Sequence, residues 1–204
     1  MRLGIYGGTF DPVHYGHLLL AECCRETCRL DQVWFMPAAT PPHKLDRSLA
    51  PGAQRAEMLE LAVSGHAGFA VSRIELEQGG VSFTVDTLAR LRAEDPAREL
   101  LFLMGADSLA DFPTWKEPAR ICELATPIVV RRAGAAPLDF EILEPLVPAP
   151  RIAEMVRHQV EMPLIGLSSS DLRWRVAQGL SIRYRTPRAV EKYIETQGLY
   201  TALT

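Results

Sequence analysis

No stretch of the chain approaches the roughly 20 consecutive apolar residues that a membrane-spanning helix needs, so a membrane-embedded protein is not expected. Arg2–Tyr6 already reads as a strand and the first motif starts at Gly7, which leaves no room for a signal peptide. A cytoplasmic location is the resulting expectation. Positive charge is also scarce. Lys and Arg number 22 against 25 Asp and Glu, a net charge of -3. A nucleic-acid binder usually carries a basic surface, so that class is disfavoured, whereas a nucleotide ligand needs only a few local cations. Cysteines number four, and Cys23, Cys24 and Cys28 crowd one segment away from Cys122. The spacing has no second ligand pair, so no metal-ligating set is assigned and buried, reduced thiols are expected. There is no G-x-G-x-x-G, no internal repeat and no low-complexity tract.

What is present is a 204-residue chain, 48% hydrophobic, enough for one compact domain with a core. Short apolar runs at Arg2–Tyr6, Gln32–Met36, Phe69–Ser72, Leu100–Met104 and Pro127–Val130 read as strands. They alternate with helical patterns at Gly16–Cys28, Gly52–Val63, Val85–Ala93 and Pro118–Leu124. Such alternation implies right-handed βαβ units and a doubly wound parallel α/β sheet. Ligands then sit beyond the carboxyl ends of the strands, on the loops after Tyr6, Met36 and Met104. Gly134–Pro163 holds five prolines and reads as loop-rich, with at most short helices. Ser169–Gln178 and Pro187–Gln197 read as two final helices, with Ser168, Ser169 and Ser170 as N-caps and Gly179 and Gly198 as stops. The expected organisation is one domain over 1–204, a core of 1–165 followed by a helical part of 166–204.

The most informative stretch is Gly7-Gly8-Thr9-Phe10-Asp11-Pro12-Val13-His14-Tyr15-Gly16-His17. Two glycines after a strand allow a tight turn and the close approach of a ligand. The helix that follows points free N–H groups and a positive dipole end at whatever lies beyond the strand, which favours phosphate. His14 and His17, three residues apart, can face the same side and donate hydrogen bonds to charge that grows in a transition state. This stretch resembles, without a mismatch, the G-G-T-F-D-P-x-H-x-G-H signature of the nucleotidylyltransferase superfamily, distant relatives of class I aminoacyl-tRNA synthetases. The resemblance implies a Rossmann-like fold, with Gly7, Gly8, Thr9, Phe10, His14 and His17 against ATP.

Further motifs follow in order. Pro41-Pro42-His43-Lys44 resembles the N-P-P-H-K loop of nicotinate mononucleotide adenylyltransferases, with Thr40 in place of the asparagine. Arg55–Met58 carries that family's R-x-x-M, and Arg55 reads equally well as an ordinary surface residue. Ser82–Leu88 resembles S-Y-T-x-D-T-L, with Phe83 for tyrosine; Thr84 is expected to cap the helix and leave backbone N–H groups for an anion. Gly105-Ala106-Asp107, then Phe112 and Trp115, resemble G-x-D and F-x-x-W. Asp107 could bond ribose hydroxyls or cap the next turn, and Trp115 could stack on a pyridine ring. Leu167–Arg173 resembles I-S-S-T-x-I-R, a serine-rich helix start followed by an arginine. Arg131 and Arg132 match a basic step of the family loosely. Pantetheine-phosphate adenylyltransferases carry T-x-G-H where this chain has His14–His17, and lack the P-P-H-K and S-x-T-x-D-T set.

The resemblance implies an adenylyltransferase that joins ATP and nicotinate mononucleotide into deamido-NAD (nicotinate adenine dinucleotide) and pyrophosphate, in NAD biosynthesis. It implies charge stabilisation by His14, His17, Lys44 and Arg173, and ATP contacts from those histidines, Gly105, Asp107, Ser168, Ser169 and Arg173. It assigns the acceptor to Thr9, His43, Lys44, Ser82, Thr84, Trp115 and Arg132, and Mg2+ to the ATP. Nicotinamide mononucleotide or another phosphorylated acceptor, and a nucleotide-binding module without catalysis, stay open, as does assembly into a homo-oligomer.

Overall fold

The computed structural model describes residues 1–40 and 49–201. In chain order the elements are β1 (Arg2–Gly8), α1 (Tyr15–Thr27), β2 (Gln32–Pro37), α2 (Gly52–Val63), β3 (Phe69–Val71), α3 (Ile74–Gln78) and α4 (Thr84–Glu94). Then come β4 (Glu99–Gly105), α5 (Ala106–Asp111), α6 (Pro118–Leu124), β5 (Thr126–Arg132), α7 (Ala149–Arg157), β6 (Val160–Met162), α8 (Ser169–Ala177) and α9 (Arg188–Gln197). The strands form one sheet in the order β3-β2-β1-β4-β5-β6. The chain thus winds outward in both directions from β1, the doubly wound arrangement of a Rossmann-like α/β fold. Pairs β1–β4, β4–β5 and β5–β6 are parallel. Among the described residues, no helix is long and apolar enough to cross a membrane.

The chain clusters into two compact units, neither continuous in sequence. The first comprises Met1–Tyr6, Leu20–Trp34 and Phe83–Leu164. Its centre is β4, where Leu100–Met104 are buried without interruption. Such a run belongs to a parallel strand covered on both faces, and each buried leucine stabilises by about 1.5–3 kcal/mol. Gly4 lies beneath this packing: a Cβ there would stand 2.7 Å from Leu30 Cδ1 and 3.2 Å from Leu103 Cδ1. Helix α4 packs on α6, and α7 on β5.

The segment expected as loop-rich is more ordered than that. Pro148 caps α7 and Pro150 sits in its first turn, where a missing N–H does no harm. The chain then adds β6 at the sheet edge, pairing Val130 with Val160 and Arg132 with Met162. Three residues are too few to show a period, so the strand was invisible in the sequence. Arg131 is committed to an ion pair with Glu161 on that edge strand.

The second unit comprises Gly7–Leu19, Phe35–Ser82 and Ile165–Thr204. Helix α2 packs against β3 and α9. Ser168 caps α8, its Oγ accepting from Asp171 N–H at 3.1 Å, and Gly198 ends α9 in the left-handed region at φ 61°.

Candidate active site

In the second unit the loop after β1 departs from the sequence expectation. The tight turn does not fall on the glycines. Phe10 takes the positive φ, 48°, while Gly7 and Gly8 remain in the strand. Glycine at position 8 answers a different need. The Phe10 ring is buried, and a Cβ on Gly8 would lie 2.9 Å from its Cζ. Phe10 in turn makes a T-shaped contact with His17, ring centroids 5.1 Å apart at 76°.

His14 and His17 stack face to face, centroids 3.7 Å apart with planes 17° from parallel. His14 is buried, and its backbone N–H donates to His17 Nδ1 at 3.2 Å. An Nδ1 that accepts carries no proton, so the proton of the His17 ring sits on Nε2. Gly16 makes room for the stack: a Cβ there would stand 3.0 Å from His14 Cε1 and Nδ1. Gly16→Ala therefore sets two effects against each other. Helix propensity favours alanine by about 1 kcal/mol. The His14 ring, however, must give by a few tenths of an ångström. The expected outcome is a melting temperature that is unchanged or higher with kcat lowered roughly tenfold. Thermal melts and initial rates on the same preparation check it.

The residues between the turn and the helix are tied down from the end of the chain. Ser169 Oγ donates to Pro12 O at 2.9 Å, and Arg173 Nη1 to Asp11 O at 2.7 Å. Thr186 Oγ1 donates to Val13 O at 2.8 Å, and Tyr15 N–H to Arg185 O at 3.1 Å. Tyr200 Oη donates to Asp11 Oδ1 at 2.6 Å. Burial, and then the Asp11 carboxylate, push the Tyr200 phenol far above its ordinary pKa. Five tethers thus act on four residues, Asp11, Pro12, Val13 and Tyr15, immediately before and at the start of α1.

Arg55 is not a surface residue. It is fully buried, and its guanidinium donates to Ala50 O (2.9 Å), Thr9 O (2.8 Å) and Ala38 O (2.7 Å). Burial lowers its pKa, and the nearby Asp11 charge opposes that. Arg55 therefore ties three loop segments together. Ser82 has a similar duty, its Oγ accepting from Ala39 N–H at 3.0 Å and its N–H donating to Thr40 O at 3.1 Å. His43 and Lys44 lie outside the described residues.

In the first unit Thr84 does not cap α4. It is the first helical residue, and the cap position belongs to Phe83, in extended conformation and without a side-chain cap bond. The helix starts one residue earlier than expected, because Phe83 O already accepts from Asp86 N–H and Thr87 N–H. Lys116 stands by this first turn, its Nζ 2.8 Å from Asp86 Oδ2 and 4.8 Å from the Phe83 ring centroid. Gly105 precedes α5, and a side chain there would meet open space; Asp107 is exposed in the first turn. The cap of that helix is Gly105, so Asp107 does not cap it. Trp115 is half-buried, its ring held against Phe102 (5.9 Å, 70°) and Phe112 (5.4 Å, 53°). Arg132 is exposed at the end of β5.

Sequence reasoning singled out His14, His17, Ser169 and Arg173, and the structure gathers these four on one loop and its tethers. It missed Tyr200 and Thr186, for which the sequence offers no motif. It also missed the role of Asp11, which lay inside the quoted signature. Among the described residues no group of three or more His, Cys, Asp or Glu side chains could hold a metal ion. Cys24, Cys28 and Cys122 are buried free thiols, and burial raises the pKa of each.

Residues 5–175 match the family described as cytidylyltransferase-like. A Thermomicrobium roseum protein named "probable nicotinate-nucleotide adenylyltransferase" is 48% identical over 199 residues, covering 98% of this chain and 91% of that protein. A Thermus thermophilus protein of the same name is 46% identical over 200 residues, covering 98% of this chain and all of its own. Among solved structures, the nicotinic acid mononucleotide adenylyltransferase of Plasmodium falciparum complexed with APC superposes with a TM-score of 0.74 at 17% identity, over 99% of this chain and 98% of that one.

Proposed function

This chain belongs to the nicotinate-nucleotide adenylyltransferases, within the cytidylyltransferase-like family, and from that premise we propose that it joins ATP and nicotinate mononucleotide into deamido-NAD, releasing pyrophosphate. The observation that carries this reading is the stacked pair His14–His17, its outer ring oriented by a backbone N–H to hold a proton on Nε2. The mononucleotide 5′-phosphate attacks the α-phosphorus of ATP in line, one P–O bond forming as the bond to the pyrophosphate oxygen breaks. Such transfers need positioning and charge stabilisation, and no covalent enzyme intermediate. His17 Nε2–H, His14 and the Arg173 guanidinium supply donors, and Lys44 adds a point charge. Gly7, Gly8, Thr9, Phe10, Ser168, Ser169, Gly105 and Asp107 are assigned to ATP in this reading. Mg2+, held chiefly by the triphosphate oxygens in this reading, would neutralise phosphate charge.

The acceptor side rests on the first turn of α4 with Thr84, on Trp115, and on Ser82, His43, Lys44, Thr9 and Arg132. No side chain caps α4, so the N–H groups and positive dipole end of its first turn favour a ring carboxylate over an amide. Charge-assisted hydrogen bonds exceed neutral ones by roughly 1 kcal/mol each, so nicotinate mononucleotide should be preferred about tenfold or more. Trp115, fixed by Phe102 and Phe112, should stack on either ring, so Trp115→Ala should weaken both acceptors and leave the preference standing. The test is ATP with each mononucleotide, read by pyrophosphate release and product identity, in wild type and Trp115→Ala. Equal efficiencies in the wild type would refute carboxylate reading. A preference lost with the tryptophan would hand discrimination to the ring.

A further inference from the structure

Asp11 presents an unusual electrostatic arrangement. It is 1% exposed. Oδ1 accepts from Tyr200 Oη at 2.6 Å and from Ala50 N–H at 3.3 Å. Oδ2 is buried and accepts no hydrogen bond among the described residues. It faces Arg173 Nη1 at 3.8 Å, too far for a hydrogen bond. That Nη1 donates instead to the Asp11 backbone carbonyl, and Nη2 stands 3.4 Å from Ser170 Oγ. The guanidinium is thus drawn to a buried carboxylate without being captured by it.

We propose that Tyr200 and Asp11 form a positioning pair for Arg173, in which the phenol holds the carboxylate turned so that its charge anchors the guanidinium while the arginine's remaining donors stay available to ATP phosphates. The terminal torsion of an aspartate is soft, so its oxygens are fixed by their partners. A carboxylate left near an arginine otherwise tends to the bidentate pair, which uses two donors at once. Tyr200, from the end of the chain, prevents that by engaging Oδ1. The inference deepens the reading given above, since it names what sets the hand of Arg173 on ATP.

The experiment is a double-mutant cycle of Tyr200→Phe and Arg173→Ala, read by the Kd of Mg–ATP in calorimetry and by the KM of each substrate. Tyr200→Phe should weaken ATP binding, raise its KM roughly tenfold and lower kcat as Arg173 is misplaced, with the mononucleotide KM within about twofold. On the Arg173→Ala background the same change should add less than about twofold, because coupled sites are non-additive. Tyr193→Phe is the control, since it removes another hydroxyl of the same segment, the one that bonds Glu57, and should leave ATP binding unchanged. Equal tenfold losses on both backgrounds, or equal effects on both substrates, overturn the pair. Should Tyr200→Phe fail to fold, Asp11→Asn serves: it keeps an acceptor for the phenol but removes the charge, and unaltered ATP binding there overturns the proposal. A wild type that binds ATP yet yields no dinucleotide would overturn the proposed activity alone, the pair still being decided by the ATP Kd.

Discussion

His17→Ala lowers kcat by a hundredfold or more, about 3 kcal/mol of transition-state stabilisation, and leaves the fold intact. The size follows from geometry. His17 Nδ1 is taken by the His14 N–H at 3.2 Å, one face stacks on the His14 ring, and Phe10 packs against the ring in a T-shaped contact. The ring is therefore immobilised, and its Nε2–H is a donor that need not reorganise when charge develops on the phosphoryl oxygens. His17→Gln discriminates further. An amide can replace a donor at the Nε2 position but not the stacked ring, so it should retain more activity than alanine does. Steady-state rates and circular dichroism on both variants check the expectation. A well-folded alanine variant with nearly full activity would sink the role assigned to His17.

The second large effect belongs to a residue that touches no phosphate in our reading. Arg55→Ala strands three carbonyls, the buried Ala38 O and the part-buried Thr9 O and Ala50 O, that the guanidinium now serves at 2.7–2.9 Å. Each stranded acceptor costs about 1–3 kcal/mol, and the emptied volume adds to it, offset by release of a buried charge, so a net loss of about 3–5 kcal/mol is expected. For a chain of this size that is roughly a 10 °C fall in Tm. Activity should fall with it, because Thr9 belongs to the loop that leads to His14. Arg55→Lys should rescue little: an ammonium cannot spread three donors over a planar fork. Thermal melts of the three proteins decide the matter, and a lysine variant as stable as the wild type would overturn the account.

The Gly7–His17 signature and the strand–helix alternation were legible in the sequence, since both rest on local chemistry: where glycine is tolerated, where a helix can begin, which residues recur with period. The order of motifs was legible for the same reason, and so was the likeness to adenylyltransferases. Even within that stretch the sequence misassigned the physics, because glycine at 8 serves the Phe10 ring rather than a left-handed turn. Thr84 looked like a cap because threonine favours caps in general, whereas Phe83 O already accepts the first helical bonds. Tertiary structure alone decided that Arg55 is buried among carbonyls, that β6 completes the sheet edge, and that Tyr200 meets Asp11 across 189 positions of chain. Contacts between residues that far apart leave no spacing to read. Their hydrogen bonds exist only once apolar burial has brought the last helices onto the loop that holds the two histidines.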